Sequence, residues 1–60
     1  MLKQLRIEKG LTQAQLAEMV GVTDRAVGKW EAHGVAKAQF AVMARLAKAL
    51  GVTMEELLEE

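Results

Sequence analysis

An all-α domain of five short helices is what this sequence predicts, on three observations. Four of the five glycines, Gly10, Gly21, Gly34 and Gly51, each close a run of helix-forming residues, and glycine most readily takes the left-handed conformation just past a helix end. All three threonines, Thr12, Thr23 and Thr53, follow one or two positions after a glycine, where a hydroxyl can accept from an orphan backbone N–H at a helix start. Apolar residues recur every three or four positions, and no segment alternates as a strand does.

The first helix is expected over about 2 to 9, with Leu2 and Leu5 inward and Ile7 on the other side, as edge of the core or as contact surface. The second, about 13 to 20, starts from Thr12-Gln13-Ala14-Gln15, a pattern for reciprocal capping, and buries Leu16, Ala17 and Val20. The third, about 24 to 32, follows Thr23; the charge of Asp24 suits its positive end, and Val27 and Trp30 point inward. The fourth, about 38 to 50, carries Phe40, Met43, Leu46, Ala47 and Leu50, although Ala36-Lys37-Ala38 supplies no capping side chain. The fifth, about 54 to 59, repeats the capping pattern at Thr53-Met54-Glu55-Glu56, with Leu57 and Leu58 divided between core and dimer interface. Leu11, Val22 and Val52 in the connections complete one core that takes in both aromatics, Trp30 and Phe40.

Sixty residues make one domain, 1–60, which buries only about 60% of the surface its unfolded chain exposes. Cysteine, serine, proline, asparagine and tyrosine are absent and there is one histidine, which removes disulfides, thiolate metal sites and nucleophilic triads. No enzyme activity, cofactor, metal or small-molecule substrate is expected. The lone His33 beside Gly34 sits where a ring can bond the last carbonyls of a helix. No apolar run approaches the roughly 18 residues of a membrane span and no leader pattern opens the chain, so a cytoplasmic setting is expected.

The net charge is zero, but its distribution is uneven. Residues 1 to 50 hold all eight basic residues and four acids, net +4, whereas Glu55, Glu56, Glu59 and Glu60 crowd the end. A mildly basic body suits phosphate contact.

The segment Gln13 to Trp30, QAQLAEMVGVTDRAVGKW, is the most informative. Small Ala17 allows close helix crossing, Gly21 makes a sharp turn, and Leu16, Val20, Val27 and Trp30 fix the pair to the core, as a helix-turn-helix requires. Seven fragments then fall in order: L-x-x-L-R at 2–6, GLTQ at 10–13, LA at 16–17, GVT at 21–23, VGKWE at 27–31, LAKALGV at 46–52 and MEELL at 54–58. Together they resemble the Cro/repressor helix-turn-helix family, also called the xenobiotic-response-element type, which includes the lambda-like phage repressors.

The resemblance implies a lambda-repressor-like DNA-binding domain whose third helix lies in the major groove of double-stranded DNA. It places Asp24, Arg25, Gly28 and Lys29 against base edges. Thr12, Gln13, Thr23, Lys37 and Gln39 fall at phosphate contacts, and Arg6 and Glu31 form a partly buried ion pair. Arg25 is the best base reader, since a guanidinium can bond guanine O6 and N7 together; Asp24 reads better as a helix N-terminal charge than as a reader of cytosine. Function is expected to be transcriptional regulation, most simply repression, by a weak homodimer joined through Met54, Leu57 and Leu58 and associated with the nucleoid when bound. Zero net charge, Asp24 and Gly28 motivate a rival, a protein-interaction adaptor of antitoxin or antirepressor type on the same scaffold; the limited residue alphabet suggests a third, an engineered stable domain.

Overall fold

A computed structural model describes residues 2–58. Five helices follow in order: α1 (Leu2–Glu8), α2 (Gln13–Val20), α3 (Asp24–His33), α4 (Phe40–Leu50) and α5 (Met54–Leu58). No strand occurs among the described residues. Position 59 of the expected fifth helix lies outside them.

Thr12 accepts from the Gln15 N–H at 3.0 Å while the Gln15 side chain accepts from the Thr12 N–H at 2.8 Å. Thr53 and Glu56 reproduce the exchange at 3.1 and 3.2 Å, and Thr23 accepts from the Ala26 N–H at 3.1 Å. Each such cap satisfies donors that a helix start leaves orphaned.

The fourth helix departs from expectation. It begins at Phe40, with Gln39 as an N-cap whose side chain makes no capping bond. No side chain in Ala36-Lys37-Ala38 can hold a helix start, and the backbone forms a turn instead, the Ala38 N–H donating to the Val35 carbonyl at 2.9 Å. That turn carries Val35 into the core at 1% exposure, a residue the periodicity does not single out. Phe40, expected in the core, is 73% exposed in the first turn of α4.

Leu2, Leu16, Val20, Val27, Val35, Leu46, Leu50 and Leu57 are fully buried around one centre, with Trp30, Leu5 and Met43 packed against it. At about 1.5–3 kcal/mol for each large apolar side chain, this burial is the main force holding so short a chain together. Leu57 is committed to this core at 1% exposure, which corrects its expected place in a dimer contact. Met54 is partly buried against the same core and Leu58 is 49% exposed.

Candidate nucleic-acid interface

The contact between α2 and α3 is the most extensive in the molecule. Gly21 turns the chain at φ +80°, a region that side chains disfavour, and its N–H and that of Val22 both donate to the Ala17 carbonyl, at 2.8 and 2.9 Å. A guanidinium from α4 reinforces the corner: Arg45 donates to the Val20 carbonyl at 3.4 Å, placing a cation at the negative end of α2. Arg45 and Val20 are 25 positions apart, so no local pattern announces this contact.

On its inner side α3 buries Val27 and packs Trp30 against the core, and Glu31 joins three helices. Its carboxylate receives Arg6 Nε at 2.5 Å and Gln13 Nε2 at 2.9 Å, while a second Arg6 nitrogen donates to the Leu11 carbonyl at 2.7 Å. Side-chain exposure is 11% for Arg6 and 6% for Glu31. Burial alone would push the Glu31 carboxyl up. Hydrogen bonds from Arg6 and Gln13, with the positive charges of Arg6 and Lys3, more than offset that and hold it below the ordinary glutamate value.

The outer side of α3 differs in kind. Asp24, Arg25 and Lys29 are exposed, Gly28 is half-buried between them, and none of the three side chains makes a hydrogen bond among the described residues. Thr12, Thr23, Lys37 and Gln39 are exposed at the ends of α2, α3 and the loop before α4. Gln13 is half-buried because it serves two neighbours. One N–H of its amide bonds Glu31, which fixes the side chain and leaves its second N–H as a donor.

Gln13 also covers Gly28. A Cβ built on Gly28 would lie 3.6 Å from Gln13 Nε2 and 3.8 Å from Oε1, an ordinary contact. Glycine inside a helix costs roughly 1 kcal/mol relative to alanine. Gly28→Ala should therefore raise the melting temperature by about 4–8 °C, read by thermal circular dichroism; a fall would mean that the methyl dislodges Gln13.

This arrangement, a rigid α2-turn-α3 pair with an unbonded polar face outward, is that of a DNA-binding helix-turn-helix. The model of the helix-turn-helix family matches residues 2–57. The chain belongs to that family, of the Cro/repressor type, whose members bind DNA and are not enzymes. No curated protein and no solved structure matches it. No helix among the described residues is long and apolar enough to cross a membrane.

Proposed function

We propose that the chain is a sequence-specific transcriptional repressor that inserts α3 into the major groove as a homodimer on a pseudo-palindromic operator. The observation carrying this reading is the division of α3: one side fixed to the core through Val27, Trp30 and Glu31, the other offering Asp24, Arg25 and Lys29, whose side chains make no hydrogen bond among the described residues, around Gly28. Arg25 reads base edges and Lys29, one turn further on, reaches a base or a phosphate, with Asp24 and Gly28 shaping the approach. Thr12, Gln13, Thr23, Lys37 and Gln39 hold phosphates on either side, setting register without carrying sequence information.

Pairing follows from magnitude. One module buries about 600–1,000 Å² on DNA, too little for tight binding with a body of this modest charge. The Cα extents are 23 × 20 × 19 Å, and side chains reach roughly 3 Å beyond the Cα cylinder of a helix on each side. Two such bodies, about 29 Å across at most, on half-sites about 34 Å apart touch only where each leans toward the other, so their contact is small. Leu58 and the edge of Met54 supply the apolar part of that contact, and the nearby Glu55 and Glu56 oppose it, so the dimer is weak without DNA. Repression needs nothing more than occupancy of base pairs another protein requires. The setting is the cytoplasm, on the nucleoid when bound.

Selection from a random duplex library, followed by salt titration of the recovered site, tests this. Recovered sites should be two-fold symmetric, and the log–log salt slope should grow by about 0.9 per phosphate held. Absence of any duplex binding at about 50 mM salt, where phosphate contacts are strongest, would return the reading to a protein-interaction adaptor.

A further inference from the structure

At the carboxyl end of α3 the following loop folds back and closes a cleft of about 210 Å³, lined by Lys29, Trp30, His33, Gly34, Ala36 and Lys37. Three of these side chains can carry positive charge and none is acidic. Lys29 and His33 stand one helical turn apart on the same face, and Lys37, in the turn closed by Ala38 on Val35, lines the cleft with them. The N–H groups of Ala36 and Lys37 have no partner among the described residues. The His33 ring is exposed and makes no hydrogen bond to them either, so the capping of terminal carbonyls expected of it is not formed.

The carbonyl end of α3 lies at this cleft, and its partial negative charge disfavours an anion. Two lysines oppose it permanently. A third cation is present only when His33 is protonated, and histidine is the side chain that changes charge between about pH 5 and 8. The charged groups facing the ring are Lys29 from α3 and Lys37 from the loop, while α4 begins with uncharged Gln39 and Phe40. Glu31 is bonded to Arg6 and Gln13 and lines a different groove, with Lys3, Gln4, Ile7 and Glu8.

We propose that this cleft seats a backbone phosphate of duplex DNA with His33 as its proton-dependent ligand, so that affinity for DNA rises as pH falls. The proposal rests on the regulator reading above and adds to it a ligand and a control. A phosphodiester keeps its single negative charge throughout, so the proton is taken up by the ring, whose N–H then donates to a phosphate oxygen. Linkage makes the effect reciprocal: protonation tightens DNA binding, and DNA binding draws a proton onto the ring.

The test uses a random-sequence duplex of about 30 base pairs, because phosphate contacts do not depend on sequence. Between about pH 8 and pH 6 the affinity should rise at least threefold, and the log–log salt slope should steepen by no more than about 0.9, the ceiling set by one phosphate. His33→Gln should bind as the parent does at the higher pH and lose the pH response, while His33→Lys should bind tightly at both. The chain has one histidine, so its ring proton resonances report directly; adding duplex should move their titration to higher pH. Inorganic phosphate at the same phosphate concentration should leave it in place, and an equal movement would overturn DNA as the source. Duplex binding with the same pH response in His33→Gln as in the parent would overturn the proposal alone. Failure to bind duplex at any pH would overturn the regulator reading and this inference together.

Discussion

Glu31→Ala is expected to lower the melting temperature by about 12–24 °C, corresponding to roughly 3 kcal/mol in a domain of this size. The loss exceeds that of one hydrogen bond because the substitution leaves the largely buried Arg6 side chain, 11% exposed, without a counter-charge. It also releases Gln13 from the carboxylate it bonds, so α1, α2 and α3 lose their common junction. Replacing both members, Arg6→Met with Glu31→Leu, should restore most of the stability, since an apolar pair has no desolvation penalty to offset. The pH dependence follows from the lowered carboxyl. A group held below its unfolded value, about 4.3 for glutamate, stabilises fully above that value and loses its contribution as pH falls through it toward the folded one. The parent should therefore lose more stability between about pH 5 and pH 3 than the double variant, whose site carries no titrating carboxyl. Thermal unfolding across that range decides it; a Glu31→Ala protein melting within about 4 °C of the parent, worth no more than 1 kcal/mol, would show that the junction is ornamental.

Arg25→Ala is expected to weaken binding to the selected operator by about 5- to 150-fold, the 1–3 kcal/mol that a bidentate guanidinium contributes to choosing guanine. Affinity for random duplex should fall far less, by the share of a single cation. Melting should be unchanged, because Arg25 is exposed and unbonded. Lys29→Ala is the comparison: a phosphate-holding lysine lowers affinity for all sequences alike and reduces the salt slope, whereas a base-reading one alters the preferred sequence. An Arg25→Ala protein that selects the parental site with parental affinity would remove α3 as the reading element.

Much of this was legible in the sequence because helix ends are chemically marked. Thr12, Thr23 and Thr53 cap the helices their spacing predicts, and Gly21 takes the left-handed turn asked of it. The start of α4 was not legible, for it has no capping side chain; its position follows from a backbone turn and from the burial of Val35. Phe40 shows the limit of periodicity, which names a face of a helix but not whether the core extends to its end. Leu57 and Leu58 show a related limit: two adjacent leucines on a five-residue helix cannot both point inward, and spacing alone does not say which does. The outward placement of Asp24, Arg25 and Lys29 follows from the inward placement of Val27 and Trp30. Arg6 with Glu31 came from family resemblance, since a contact across 25 positions leaves no local trace, and the second role of Gln13 over Gly28 and the cleft at His33 needed coordinates.

The two sides of α3 are chemically independent, and this bears on how such a domain can change allegiance. The side chains of Asp24, Arg25 and Lys29 make no hydrogen bond among the described residues, so their replacement perturbs neither the Glu31 junction nor the buried leucines, whereas any side chain larger than alanine at position 28 would press on Gln13. A library randomised at positions 24, 25 and 29 alone should yield many variants that fold as the parent does yet favour different operators. Divergence of target would then require no compensating change elsewhere in the chain.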